Sequence, residues 1–169
     1  MRDEQLHAFL NLARARTSVD ARRRRRWLEQ QLDEDQTFAA VCRGMADAGA
    51  RVELSVASGR TYRGAVVVAA AEYVAVATGD AEVAYVAAAA IVGLRHLGGA
   101  VGGDPPAVVR AATFDDVVHG LSERHAVIAA CTVDGTAHRG QLAGVGRDLL
   151  WFDDGRYLRL DVVTEVTTP

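Results

Sequence analysis

The sequence contains no lysine; all nineteen basic residues are arginine. That excludes Schiff-base chemistry on a lysine and a phosphate loop of the kind that needs one. Cysteine is almost as scarce. Cys42 falls in a helix-like stretch and Cys131 in a strand-like one, and neither has metal-ligand spacing around it. Two inert buried thiols in a reducing compartment are expected. No apolar run reaches the length of a membrane-spanning helix. The opening stretch, Met1 to Arg16, sets acids and arginines among its leucines and lacks the apolar core of a signal peptide. A cytoplasmic protein with no membrane contact is the expectation.

The formal net charge of −3 hides an asymmetry. Residues 1–26 hold eight arginines against Asp3, Glu4 and Asp20, whereas the remainder holds eleven against nineteen acids. A basic arm therefore precedes an acidic body. Five of the arm's arginines are consecutive, Arg22, Arg23, Arg24, Arg25 and Arg26, and Trp27 follows directly.

The body repeats itself at an offset of 76 positions. Thr37-Phe38 returns as Thr113-Phe114, Val41 as Val117, Gly44 as Gly120, Gly59 as Gly135, and Arg63-Gly64 as Arg139-Gly140. Identities on glycines and pattern positions point to an internal duplication. Each copy opens on a helix: Phe38, Val41, Cys42 and Met45 share one helical face, as do Phe114, Val117, Val118 and Leu121. Strands follow. Val52, Leu54 and Val56 alternate with polar or small residues, and turns are expected at Ser58-Gly59 and Asp134-Gly135. The next strand of each copy contains a glycine, Gly64 or Gly140, where a bulge or sharp bend is expected. Further strands are expected over 73–77 and 149–153, around 84–87 and 157–160, and around Ile91 and Val163. The glycine- and proline-rich stretch 96–112 reads as a linker. Residues 3–15 carry helical spacing, and the first repeat's helix is expected to extend back to about Asp20.

A helix, then five short strands with Gly-x4-Gly across the first hairpin, resembles the Sm-like family (Sm, LSm and Hfq proteins). The matching residues are Gly59, Gly64 and Tyr73-Val74 in one copy, and Gly135, Gly140 and Leu149-Leu150 in the other. Other SH3-like small barrels share the hairpin and the bent second strand. The resemblance implies RNA binding by rings of such units. However, the polar residues of the family's RNA motif are missing: Ala70 and Val74, and Gly146 and Leu150, stand in their places. The second motif is also altered, to Tyr85-Val86-Ala87 and Tyr157-Leu158-Arg159.

The expected fold is therefore mainly β (α+β): two tandem Sm-like or SH3-like small barrels, each preceded by a helix, behind a basic helical extension. The divisions are 1–36 for the Arg-rich extension, 37–95 for the first barrel, 96–112 for the linker and 113–169 for the second barrel. Arg22 to Arg26 offer bidentate hydrogen bonds to phosphate, and Trp27 offers a base-stacking face. Alternatively, the run is a solvated collar around a helix, or it meets an acidic protein surface. With Val66 and Val68 both facing inward, period-two alternation places Arg63 on the outer face, and Arg63 and Arg139 are read as contacts to phosphate or to a neighbouring unit, or as ordinary soluble strand positions. Asp115, His119, Glu123 and His125 have a ligand-like spacing, but a polar helix face opposite Phe114, Val117 and Leu121 explains it better, so no metal is expected. No catalytic constellation and no cofactor motif is present. The expected function is non-catalytic nucleic-acid binding, RNA ahead of DNA. The alternative is a protein-interaction scaffold that kept the fold without RNA binding. Such barrels expose the edges of their fourth and fifth strands, and these are expected to pair either between the two barrels of one chain or between copies in a homo-oligomer such as a six-barrel ring.

Overall fold

The computed structural model describes residues 37–79, 82–100 and 106–169. From Phe38 onward they form one unit. Helix α1, Phe38–Asp47, opens it and turns Cys42 into the core, with Met45 and Ala46 packed alongside. Five strands follow: β1 (Ala50–Val56), β2 (Thr61–Ala69), β3 (Tyr73–Ala77), β4 (Val83–Ala87) and β5 (Ile91–Ala100). Helix α2, Phe114–Glu123, comes next. Thr113 caps its N-terminus in a capping box with Asp116, which satisfies two otherwise orphaned backbone N–H groups. The second set is β6 (Val127–Thr132), β7 (Ala137–Val145), β8 (Leu149–Phe152), β9 (Tyr157–Arg159) and β10 (Val163–Thr168). In each set a single 3-10 turn, Ala88–Ala90 or Leu160–Val162, precedes the last strand.

The ten strands form one antiparallel sheet in the order β5-β1-β2-β3-β4-β10-β6-β7-β8-β9. This overturns the expectation of two separate closed barrels. Each half has its last strand beside its first, but the second half's last strand also pairs with β4 of the first. Val86 lies opposite Glu165, Tyr85 opposite Val166 and Ala84 opposite Thr167. Only one described helix precedes the sheet; α2 interrupts it between β5 and β6.

The physical reason lies in the middle strands. Tyr73 to Val76 of β3, Val83 to Val86 of β4 and Val163 to Val166 of β10 are buried at every position. A small barrel needs strands with one dry and one wet face, whereas these need cover on both. One face, through Val74, Val76, Ala84 and Val86, packs on Val52, Leu54 and Cys42. The opposite face, through Tyr73, Ala75, Val83 and Tyr85, packs on the second half's Val117, Leu121, Ile128 and Leu150. The two cores therefore sit on opposite faces of the shared middle.

Strand β2 changes cores along its length. A register shift between Val66 and Val68 puts an extra residue in the strand, so Val66 joins the first core and Val68 the second. The expectation that both valines face the same interior fails for that reason. An equivalent shift separates Leu142 from Gly144 on β7. Gly64 sits two residues before the bulge of β2, where a Cβ would lie 1.8 Å from the Ala77 carbonyl oxygen. Only a residue without a side chain lets β2 approach β3 so closely.

The stretch read as a linker is partly structured. β5 runs through His96 to Ala100, and residues 106–112 lie against two tyrosines of the first half. Tyr85 Oη accepts the Val109 N–H at 2.8 Å, and Tyr73 Oη accepts the Ala111 N–H at 3.1 Å. Those tyrosines belong to the core that α2 covers, so the connecting segment helps seal that core.

Candidate functional site

Arg22 to Arg26 and Trp27 lie outside the described residues, as do both N-terminal helical expectations. Arg63 and Arg139 are described, and both are exposed. The sheet does not bring them together. They stand five strand spacings apart, about 24 Å along the sheet. The register also puts them on opposite faces: Arg63 shares its face with Tyr73 and Tyr85, and Arg139 shares its face with Ala129 and Thr167. One repeat position thus yields two unrelated surfaces, because the core changes sides between the halves.

Arg63 is part of a cross-strand ladder that composition alone does not show. Glu53 on β1 lies opposite Arg63 of β2 and opposite Arg95 of β5. Its Oε2 accepts from Arg63 Nε at 2.5 Å and its Oε1 from Arg95 Nη2 at 2.9 Å. Hydrogen bonding by Arg63, then by Arg95, holds the Glu53 carboxyl below the usual glutamate range. Both guanidinium groups remain about two-thirds exposed, at 68% and 67%. They are oriented by Glu53 yet still present free N–H donors to solvent. Arg51, two residues before Glu53 on the same face of β1, is exposed and has no ion pair among the described residues.

The second half has nothing equivalent. Position 129, opposite Arg139, is alanine. Arg139 has no ion pair among the described residues, and its backbone carbonyl accepts from Arg156. Arg156 is itself paired with Asp154, whose carboxyl it holds low, and stacks over the Phe152 ring with 5.0 Å to the centroid.

A second polar group of residues lies at the junction of the halves. Glu165 on β10 is wholly buried. Its Oε1 accepts from Ser58 Oγ at 2.6 Å and, more distantly, from Tyr62 Oη at 3.5 Å. Its Oε2 has no partner in the structure. Cys131 is its cross-strand neighbour. Burial, then the neighbouring Glu165 carboxyl group, pushes the Cys131 thiol up. Burial, then the charge of Glu165, pushes the Tyr62 phenol up to about 12. Both groups are therefore held protonated. The hairpin tips also meet there, since a Cβ at Gly135 would lie 2.9 Å from the Ser58 carbonyl oxygen. Sequence reasoning passed over Glu165. The available signal was a lone acid inside the otherwise apolar and threonine-rich run Val162 to Thr167.

No family model matches the chain, and no curated protein matches it. No helix among the described residues is long and apolar enough to cross a membrane. No group of three or more potential metal-ligating side chains occurs among them.

Proposed function

We propose that this chain is a non-catalytic nucleic-acid-binding protein of the cytoplasm, taking RNA ahead of DNA. The observation that carries the reading is Arg63, a guanidinium turned to solvent on an exposed strand face and held in place by Glu53. The arginine-rich segment 22–26 supplies most of the affinity through counterion release, and the sheet supplies orientation. The acidic remainder of the chain opposes binding, so affinity falls steeply with salt. The resemblance of the Gly59–Gly64 and Gly135–Gly140 motifs to the Sm-like pattern is the reason for ranking RNA first. The test titrates labelled RNA and DNA oligomers against the full chain and against a full-length variant with Arg22 to Arg26 replaced by glutamine. Wild-type binding that collapses in the variant supports the reading. Absence of binding at low salt would end it.

A scaffold reading has one observation of its own. Among the described residues the sheet has two unpaired edges, β5 and β9, which present Val92 at 72% and Tyr157 at 68% exposure. Free edges offer unpaired backbone groups to another strand, and a second copy of the chain is the proposed occupant. If β5 and β9 of two copies met in the register of the internal β4–β10 joint, Arg95 would lie opposite Arg156. That like-charge pairing weakens the contact unless Glu53 and Asp154 screen it. Molar mass by light scattering decides: a monomer at all concentrations removes self-pairing, and a mass that rises with concentration supports it.

A further inference from the structure

We infer that the outer face of β5-β1-β2 in the first half is a binding site for the phosphate backbone of a single-stranded nucleic acid, built from Arg51, Arg63 and Arg95 around Glu53. This rests on the nucleic-acid reading and adds to it a second, structured site separate from the arginine run. Three guanidinium groups surround one carboxylate on a single face. Arg63 and Arg95 flank Glu53 at one strand spacing each, so their backbones stand about 10 Å apart, and Arg51 lies about 7 Å along β1. Glu53 engages one edge of each neighbouring guanidinium and leaves the remaining donors exposed. Opposite Arg51, β5 bulges through Gly98 and Gly99, both left-handed, and a Cβ at either would meet only open space. A strand of nucleic acid therefore has room beside Arg51.

The shape of the face selects the ligand. Among the described residues no helix or ribbon projects from these three strands to enter a duplex groove, which direct reading of a duplex requires. A flexible single strand can set its phosphates on the three arginines and bend around the central carboxylate. A stiff duplex would lay phosphates over Glu53 as well. The face carries no aromatic side chain among β1, β2 and β5 residues sharing it, so bases are not stacked here and binding is indifferent to sequence. The matching positions of the second half, Val127, Ala129 and Thr167, are uncharged except for Arg139. Among the described residues the site occurs once.

The experiment follows a labelled oligouridine by fluorescence anisotropy across a salt series, using full-length protein throughout. Each phosphate contact adds about 0.7 to the slope of log affinity against log salt for a single strand. Arg51→Ala, at an exposed residue without an ion pair, should lower the slope by about 0.7, and Arg63→Ala with Arg95→Ala by about 1.4. Glu53→Gln keeps all three arginines and removes the repulsion, so it should tighten binding by between about 1.5- and 5-fold. Unchanged slopes in the alanine variants, with binding still lost on replacing Arg22 to Arg26, overturn this site and leave the broader reading standing. Weaker binding by Glu53→Gln also overturns it. No binding by wild type at low salt removes both. Polyglutamate displacing the oligonucleotide at equal charge concentration would reassign the site to acidic polypeptide. Should the double variant fail to fold, Arg51→Ala and Glu53→Gln still decide.

Discussion

Ser58 and Glu165, 107 positions apart in the chain, are joined by a 2.6 Å hydrogen bond that ties the first hairpin of one half to the last strand of the other. The carboxylate is wholly buried, and its other oxygen is unpartnered. Removing the hydroxyl leaves Glu165 with only the long contact to Tyr62. Ser58→Ala is expected to cost about 1.5–3 kcal/mol, the range for a hydrogen bond to a charged group. Combining it with Glu165→Leu should recover most of that loss, because no buried carboxyl group is then left without its partner and only the long Tyr62 contact is given up. Denaturant midpoints for the two single variants and the pair complete the cycle. Additive losses would show that the two residues do not act as a unit.

The same junction has an alkaline signature. Burial, then the charge of Glu165, raises the Tyr62 phenol from its ordinary 10.0 to about 12. A group whose folded value is raised contributes stability that is complete below the unfolded value and is lost as pH rises through the folded one. Stability should therefore decline between pH 10 and about 12 through this residue. Tyr62→Phe should flatten that part of the profile while leaving neutral pH little changed. A phenolate absorbance titration in which every tyrosine ionises near its ordinary value would contradict this.

Local structure was legible because it rests on local signals. The helix starting at Phe38, the Phe114 helical face, the alternation of Val52, Leu54 and Val56, and the turn glycines Gly59 and Gly135 lie where periodicity placed them, but Phe38 itself is 45% exposed and only Cys42 of its face is fully buried. Partnering was legible only as an open choice between pairing of fourth- and fifth-strand edges within one chain and pairing between copies. Nothing within the run Tyr73-Val74-Ala75-Val76 says what covers each face, because both faces are apolar and period-two reasoning needs one polar face to assign a side. The β4–β10 joint pairs residues about eighty positions apart, beyond any local pattern. Arg63 and Arg139 match in sequence yet part company in space, since the sheet face that is outer in one half continues into the core of the other. Glu53 was visible as an acid in a strand. Its place between two arginines became visible only with the register of β1 against both neighbours.

The two strand glycines of the repeat should differ in their tolerance of alanine. At Gly64 the added Cβ meets the backbone of Ala77 at 1.8 Å, and backbone cannot step aside without moving β3. At Gly140 it meets the Phe152 ring at 2.9 Å and the Arg156 guanidinium at 3.3 Å, which can shift. Gly64→Ala is expected to cost about 3 kcal/mol and Gly140→Ala about 1 kcal/mol, the two ends of the range for overpacking. Thermal unfolding of the two variants side by side checks the order. Equal losses would mean that β2 can move away from β3, against the tight pairing seen here.

The tyrosines beneath the connecting segment lead to the last expectation. Val109 is 7% exposed and its N–H is held by Tyr85 Oη at 2.8 Å, so Tyr85→Phe leaves a buried donor unpaired. Such an orphan costs about 1–3 kcal/mol. The Ala111 N–H, held by Tyr73 Oη at 3.1 Å, is only partly buried and can turn to water, so Tyr73→Phe should cost less. Both rings pack tilted at 6.3 Å between centroids and keep their apolar contacts in phenylalanine, which isolates the hydroxyl in each comparison. Amide exchange gives the sharper reading. In wild type the Val109 amide should exchange only as slowly as the core opens, whereas in Tyr85→Phe it should exchange by local lifting of residues 106–112. If Val109 stays protected in that variant while its stability falls, the connecting segment is held by its side chains in the core and the tyrosine hydroxyl only adds to the global balance.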